Sequence, residues 1–239
     1  VVTNPPFGTK IDEVRERILE SFELGHHIVN GEPTRVLLSG QDPDKLFLER
    51  CIQYLKEPTE GHDGGRLLIV LPRQNLSGTE QSSVELRNWL LKKVKILGII
   101  DLPREAFQPH TGTKTSLVLL EKSKELEGDY SIFMAVSDSI GHDRRGNPVY
   151  LKDDQGQDIV DSSKNPIIYN DLPEILEQWR KYRSSQPVSL KKPSCFTIRV
   201  SEIRASDLKR LDAWFWDPNK NNLAKKLEDG VGGEIKEIE

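Results

Sequence analysis

The sequence predicts an α/β fold in which a parallel sheet ends in one antiparallel strand. Residues 67–71 are a continuous apolar run, which is typical of a parallel strand covered on both faces. A helical pattern follows and leads to a second strand at 96–101, so residues 66–101 form one βαβ unit. The loop at 101–115 lacks helical periodicity. A link without a helix predicts that the next strand, at 116–121, is antiparallel to its neighbour, so the sheet should end in a reversed hairpin.

Composition narrows the class of protein. The 239 residues suit one large domain, or one domain with an extension. The net charge of −4 argues against a protein that coats nucleic acid by bulk electrostatics, although it leaves room for a local basic face. The two cysteines lie far apart and outside any metal or redox spacing, so we expect free, buried thiols. With no secretory signal and no long apolar span, we expect a soluble, cytoplasmic protein.

The opening residues carry the strongest functional signal. Residues 1–3 are β-branched and predict the end of a strand, and since no initiator methionine precedes them we expect a fragment of a longer protein. Asn4, Pro5, Pro6 and Phe7 follow directly. The two prolines cannot donate a backbone hydrogen bond to a neighbouring strand and do not continue a helix. They therefore predict a stiff loop that presents carbonyl acceptors at a sheet edge.

This loop suits the capture of an aromatic amino group. The side-chain carbonyl of Asn4 and the backbone carbonyl of Pro5 can each accept one N–H, which localises the nitrogen lone pair and stabilises the charge that develops on alkylation. Phe7 offers a face on which a base can stack, an interaction worth about 1–3 kcal/mol. The alternative is a rigid turn after a strand, with no chemistry.

The first half of the chain predicts two further helices and one surface loop. Apolar residues at helical spacing predict an amphipathic helix over about 10–24, which Gly25 ends. Asp42 and Pro43 supply a cap and a first-turn proline for a second helix. Residues 57–65 lack the G-x-G-x-x-G order of a phosphate-binding loop, so they predict a surface connection.

The second half predicts a smaller α+β extension. We expect a strand at 130–136 and then a turn-rich ribbon with no internal repeat. Asn170 and Asp171 are expected to cap a helix. Residues 195–201 alternate between apolar and polar side chains and predict a half-exposed strand, and the closing residues predict a frayed end.

The order of these segments resembles a known family. The motif NPPF is followed by LFLERCIQYLK, GGRLLIVLPRQNLSG and IIDLPREAFQPHTGTKTSLVLLEK, and later by GHDRRGNPVY and RLDAWFWDP. This succession is similar to that of adenine-N6 DNA methyltransferases of the type found as the modification (M) subunit of type I restriction–modification systems. The resemblance implies the C-terminal half of a Rossmann-like class I methyltransferase sheet. In that topology the strand at 116–121 lies antiparallel beside the one at 67–71, and the parallel strand at 96–101 lies at the sheet edge outside it. It implies a catalytic-loop half at 1–125 and, at 126–239, an α+β extension that leads towards a target-recognition region.

The resemblance also implies roles for the opening loop. Asn4 and Pro5 would hold the exocyclic amino group of a flipped adenine, Pro6 belongs to the same catalytic motif, and Phe7 would stack on the ring. Flipping is required because the amino group cannot reach a methyl donor from inside a duplex. The implied donor is S-adenosylmethionine. The glycine-rich cofactor loop that precedes this motif in the family is not in the sequence, so we expect no cofactor-binding residues here and an inactive isolated chain.

Several partners and alternatives stay open at this stage. The resemblance implies double-stranded DNA as substrate, and a specificity subunit and a restriction subunit as partners, with no membrane. Lys114, Arg144 and Arg145 are candidate phosphate contacts. A similar loop also occurs in methyltransferases that act on a protein glutamine or on guanine in RNA. A different class of interpretation is a non-catalytic module that docks a DNA specificity subunit.

Overall fold

The computed structural model describes residues 1–6, 16–191 and 193–220. Phe7, residues 10–15 of the helix predicted over 10–24, and the closing segment predicted to be frayed lie outside the described residues. None of the helices within the described ranges combines the length and the apolar character needed to cross a bilayer.

The regular elements follow one another in the predicted α/β order. The strands are β1 (Val2–Thr3), β2 (His26–Val29), β3 (Glu32–Leu37), β4 (Arg66–Pro72), β5 (Lys95–Asp101), β6 (Thr115–Glu121), β7 (Ser131–Val136) and β8 (Ser194–Arg199). The helices are α1 (Glu16–Glu20), α2 (Pro43–Gln53), α3 (Arg73–Ser77), α4 (Gln81–Lys93), α5 (Leu172–Arg183), α6 (Val200–Ala205) and α7 (Ala213–Trp216). Short 3-10 turns lie at Glu23–Gly25 and Arg104–Phe107.

The main sheet has six strands in the order β1-β4-β6-β5-β7-β8, and β2 and β3 form a separate hairpin. β1 runs parallel to β4, and β5 runs parallel to β7. β6 lies between β4 and β5 and is antiparallel to both. The predicted reversed strand between the two strands of the βαβ unit is therefore confirmed.

The prediction that β5 lies at the edge of the sheet is wrong, because β7 and β8 continue the sheet beyond it. The reason lies in β7, where Ile132, Phe133, Met134 and Ala135 are all 0% exposed. A strand buried on both faces belongs inside a sheet, and β8 supplies its outer, antiparallel neighbour. The sheet thus runs through the chosen boundary at residue 125, and the division of the chain into two parts stays a prediction.

Apolar clusters cover the two faces of the sheet. Alternate residues of β7 point to opposite faces, so Ile132 joins the cluster under α2 and α4 whereas Phe133 joins the one under α5. The Phe133 ring meets Trp179 edge to face, with 5.5 Å between ring centroids. Gly98 of β5 leaves room for this indole, because an added Cβ would lie 3.3 Å from the ring. Cys195, a free thiol as predicted, is buried in the same cluster.

The helix predicted to run to about residue 24 ends earlier. α1 ends at Glu20, and a separate 3-10 turn follows. The carboxylate of Glu49 accepts 2.8 Å hydrogen bonds from the backbone N–H groups of Glu23 and Leu24, and these bonds replace the helical ones. Gly25 was predicted to end the helix, but it ends this 3-10 turn instead, and an added Cβ there would overlap the backbone of α1.

Two predicted helix caps are only partly confirmed by the structure. Pro43 opens α2 as predicted, but Asp42 makes no capping hydrogen bond and its carboxylate lies 3.0 Å from Lys45 Nζ. At α5, the side-chain oxygen of Asn170 accepts a 3.0 Å hydrogen bond from the N–H of Leu172 and so caps the helix. Asp171 instead accepts bonds from backbone N–H groups at the start of the ribbon. The predicted α5 is therefore confirmed, with Asn170 as its cap.

The ribbon between β7 and α5 contains an internal repeat, so the expectation of none is wrong. Asp143, Asp153 and Asp161 each open a turn. In each turn the aspartate Oδ1 accepts hydrogen bonds of 2.8 to 2.9 Å from the backbone N–H groups two and four residues later. The three turns therefore share one local structure.

The repeat is not evident in the sequence because the residue at the fourth position of the turn differs among the three turns. Gly146 (φ 84°) and Gly156 (φ 80°) occupy this position in the first two turns, where the backbone is left-handed. The third turn has Lys164 at φ 64°. Three backbone hydrogen bonds of 2.8 to 2.9 Å then close the ribbon into a ring. Leu151 donates to Ile167, Ile167 donates to Ile159, and Ile159 donates to Leu151.

Candidate catalytic edge

The loop predicted to be catalytic leaves the sheet at the carboxyl end of β1. Thr3 is the last residue of β1 in its parallel ladder with β4, so Asn4 emerges beside the carboxyl end of that strand. Pro5 is buried, whereas Asn4 and Pro6 are exposed. Phe7 lies outside the described residues. Ligands of open α/β sheets bind beyond the carboxyl ends of the strands, and Asn4 occupies such an edge.

The structure separates the three basic residues predicted to contact phosphate. Lys114 lies on the same edge as Asn4: its side chain is exposed and its carbonyl accepts a 2.8 Å hydrogen bond from the N–H of Arg73, just after β4. Arg144 and Arg145 instead lie in the first turn of the ribbon. Of the three, Lys114 is therefore nearest in strand order to the Asn-Pro-Pro loop.

A buried carboxylate on this edge was not found from the sequence. Asp101, at the end of β5, is 0% exposed and accepts hydrogen bonds from Ser116 Oγ at 2.5 Å and from the backbone N–H of Trp214 at 2.8 Å. Its Oδ2 lies 3.5 Å from Arg73 Nε. Burial raises the pKa of Asp101, and the positive charge of Arg73 opposes that rise. Asp101 therefore joins the ends of three strands to α7.

Above Asp101 lies a cleft of about 400 Å³, which we call the cation cleft. Three cations and one carboxylate line it, together with an aromatic side chain. These residues are Arg73, Lys114, Arg210, Asp212 and Trp214. Asp212 is buried and forms a bidentate pair with Arg210, with N–O distances of 2.7 and 2.8 Å.

Two exposed aromatic side chains flank the cation cleft. Trp214 is 49% exposed and Phe215 39% exposed. Lys220 Nζ lies 4.1 Å from the Trp214 ring centroid, and Arg210 Cζ lies 4.4 Å from that of Phe215. The motif RLDAWFWDP showed this aromatic run in the sequence, but only the fold brings it to the edge that carries Asn4.

A second cleft, of about 490 Å³, lies beside the ribbon. Arg144 contributes a cation to it, and Glu105, Asp138 and Asp143 contribute carboxylates. The excess of carboxylates makes this cleft a poor match for a phosphate group. Arg144 and Arg145 stay predicted phosphate contacts, and they lie farther along the same carboxyl edge, in the ribbon that follows β7.

The fold and the edge together define a class of protein. An Asn-Pro-Pro loop leaves a parallel strand at its carboxyl end, and an antiparallel strand lies between the next two parallel strands. This is the α/β half-sheet of a class I methyltransferase, as the sequence predicted. The chain belongs to the N-6 DNA methylase family, whose model matches residues 1–213.

Individual relatives agree with this family. The methylase subunit of the type I restriction enzyme EcoEI from Escherichia coli is 27% identical over 125 residues, which are 52% of this chain and 21% of that protein. A modification subunit of a type I restriction enzyme from Vibrio vulnificus YJ016 is 24% identical, with a TM-score of 0.53 over 89% of this chain and 36% of that chain. The type I restriction–modification methyltransferase subunit from Streptococcus thermophilus is 18% identical, with a TM-score of 0.53 over 87% of this chain and 36% of that chain.

Each of these matches covers only part of the related protein. Both solved structures are similar to this chain in fold. The chain spans 21% of the curated relative and 36% of each of the two solved chains. The family and the fold follow from the matches, and the activity of a complete protein does not.

Proposed function

We propose that this chain is the catalytic-loop part of an adenine-N6 DNA methyltransferase, the modification subunit of a type I restriction–modification system. The observation that carries the proposal is the exposed Asn4 at the carboxyl edge of the sheet, directly followed by the anchored Pro5. Membership of the N-6 DNA methylase family over residues 1–213 supports it.

In the proposed mechanism the loop prepares a weak nucleophile. One N–H of the adenine amino group donates to Asn4 Oδ1 and the other donates to the carbonyl of Pro5. These bonds localise the lone pair, which aromatic conjugation otherwise delocalises, and they stabilise the positive charge that grows on nitrogen during alkylation. The surplus proton then passes to solvent. Acceptors or donors preorganised in this way typically contribute about 10²–10³ in turnover.

The proposed methyl donor is S-adenosylmethionine, which supplies an electrophilic methyl group on a sulfonium. The described residues do not fit its nucleotide part. Adjacent glycines of the kind that can surround a nucleotide occur at Gly64 and Gly65. An added Cβ on either would overlap backbone atoms, so these glycines allow close packing of the chain instead. They also precede β4, at the edge opposite Asn4. None of the described residues is therefore assigned to the donor.

The proposed substrate is an adenine in double-stranded DNA, flipped out of the helix. Extrusion costs a few kcal/mol, which contacts to the base and the backbone must offset. A DNA specificity subunit is the proposed source of sequence recognition, and a restriction subunit is a proposed further partner. Residues 126–239, although β7 and β8 continue the sheet, are proposed to lead towards the part of the protein that recognises the target.

The test is methyl transfer by the complete protein with its specificity subunit, using radiolabelled S-adenosylmethionine. Duplex DNA, RNA and a glutamine-containing peptide are offered as parallel acceptors. We expect the label in N6-methyladenine from the DNA digest. Label found only in RNA or in the peptide would contradict the proposal. Tight binding of the specificity subunit with no methyl transfer to any acceptor would favour the assembly-module alternative.

A further inference from the structure

The cation cleft lies a short distance along the edge from Asn4. Lys114 precedes β6, and Asn4 follows β1, with β4 between the two strands. Neighbouring strands are about 4.8 Å apart, so β1 and β6 are roughly 10 Å apart across the sheet, and the register sets Lys114 about three residues, roughly 10 Å, farther along the strand direction than Asn4. A DNA strand rises about 3.4 Å per nucleotide. The cleft is thus within reach of the nucleotides that flank a base held by the Asn-Pro-Pro loop.

The charges in the cleft are incompletely balanced. Asp212 neutralises Arg210 through two short hydrogen bonds. Arg73 has a weaker partner, because Asp101 lies 3.5 Å from its Nε and already accepts hydrogen bonds from two other groups. Among the described residues, the buried Nε of Arg73 has no hydrogen-bond partner. The cleft therefore holds positive charge that an anion can match.

Lys220 adds a further cation next to this cleft. Its ammonium lies over Trp214, 4.1 Å from the ring centroid. Burial lowers the pKa of Lys220, the Asp217 carboxylate opposes this, and the positive charge of Arg73 lowers the pKa further. Arg73 and Lys220 thus repel each other, and an anion between them would favour both charged forms.

Trp214 presents the chemistry that stacks on a nucleobase. Its indole is half-exposed, and Phe215 beside it is also exposed. Both aromatics belong to α7, which the buried Asp101 ties to β5 through the backbone N–H of Trp214. Aromatic side chains next to a positively charged groove are the common arrangement for binding single nucleotides of a strand without sequence preference.

Two other clefts do not offer this combination. The cleft beside the ribbon has more carboxylates than cations. A larger cleft, of about 1050 Å³, lies at the opposite edge, and its cations, which include Lys124, alternate with nearly as many carboxylates. No aromatic side chain is among the residues that line it. Among the clefts of the described residues that we compared, the cation cleft is the best match for a nucleotide.

We infer that the cation cleft binds a backbone phosphate of the nucleic-acid strand next to the target base, and that Trp214 stacks on a neighbouring base of that strand. Arg73, Lys114 and Lys220 hold the phosphate. Asp101 is a positioning residue, since it orients Arg73 and Trp214 without touching the ligand. The inference rests on the proposed function, because it takes a nucleic acid to be the substrate at the Asn4 edge.

The charge part is tested by the salt dependence of duplex DNA binding to the complete protein and its specificity subunit. Each phosphate contact contributes about 0.9 to the slope of log affinity against log salt. We expect Lys114→Gln and Lys220→Gln each to reduce the slope by about 0.9. The matched control is Lys124→Gln, an exposed lysine at the opposite edge, which should leave the slope unchanged.

The stacking part is tested at one fixed salt concentration. Trp214→Leu should weaken DNA binding about tenfold without changing the salt slope, and Trp214→Phe should restore most of the affinity. Tyr54→Leu is the matched control, because Tyr54 is 74% exposed and follows α2, away from the catalytic edge. It should bind DNA as the unmodified protein does.

The outcomes separate this inference from the proposed function. If the cleft variants keep the parent salt slope and affinity while Asn4→Ala abolishes transfer, the inference is wrong and the proposed function stands. If the slope falls as expected although the DNA gains no N6-methyladenine, the cleft binds DNA and the proposed chemistry is wrong. Failure of the parent protein to bind DNA would overturn the inference outright.

Discussion

Asp101 Oδ2 accepts a 2.8 Å hydrogen bond from the backbone N–H of Trp214, a residue that lies 113 positions later in the chain. Asp101 ends β5, and Trp214 lies in α7, so this bond fixes the aromatic segment to the carboxyl edge of the sheet. Ser116 and Arg73 bring β6 and the end of β4 to the same carboxylate. One buried acidic side chain thereby organises the cation cleft.

We expect Asp101→Ala to destabilise the protein by about 3–5 kcal/mol, because it leaves buried donors and the Arg73 charge without their partner. Urea unfolding followed by circular dichroism measures this loss. Asp101→Asn is the matched variant, since its amide oxygen still accepts a hydrogen bond, and it should lose less stability. A loss below about 1 kcal/mol for the alanine variant would mean that Asp101 does not hold the cleft together.

Asn4→Ala should lower turnover in DNA methylation about 10²–10³-fold, since it removes one of the two acceptors on the amino group. Asn4 is exposed, so the melting temperature should change little. The comparison is single-turnover methyl transfer by the complete protein at saturating DNA, with a thermal melt of each variant. Near-normal transfer by Asn4→Ala would exclude adenine methylation by this loop.

Phe7→Ala is expected to weaken capture of the flipped base by about 1–3 kcal/mol, the worth of one stacking contact. A mismatch opposite the target adenine should restore part of the loss, because it lowers the cost of extrusion. The measurement is the DNA affinity of both proteins for matched and mismatched duplexes. Equal weakening on both duplexes would argue against a stacking role for Phe7.

Substitutions at equivalent positions of two ribbon turns should change stability in opposite directions. Lys164 adopts φ 64°, a left-handed conformation that is unfavourable for residues other than glycine, so Lys164→Gly should stabilise the ribbon by about 1 kcal/mol. Gly146 adopts φ 84° in the first turn, and Gly146→Ala should destabilise it by a similar amount. Hydrogen exchange of the turn amides reports both changes. The same sign for the two variants would contradict the repeat.

The buried thiol of Cys195 should be inert in the folded protein. Burial raises its pKa from 9.0 to about 12, with small further increases from nearby carboxylates. Because the folded pKa is the higher one, the thiol's contribution to stability is complete below about pH 9 and is lost as the pH rises towards 12. Iodoacetamide at pH 8 should spare Cys195 until urea is added. Rapid labelling of the folded protein would show that the site opens.

Local sequence patterns were enough for most elements of the fold. The apolar run of β4, the helical spacing of α4 and α5, and the helix-free link before β6 each predicted the observed structure. The antiparallel direction of β6 also followed from the link without a helix, whereas its position between β4 and β5 followed from the family resemblance. The Asn-Pro-Pro loop was recognisable because proline restricts the backbone wherever it occurs.

Only the tertiary structure decided the features that depend on distant partners. The place of β5 inside the sheet required β7, and the early end of α1 required the carboxylate of Glu49 from another helix. The link between Asp101 and Trp214 has no local pattern, because a buried carboxylate is chosen by donors that the fold brings to it. The sequence by itself determined most of the elements and the Asn-Pro-Pro loop, whereas packing across the sheet edge decided which charges and aromatic side chains lie near that loop.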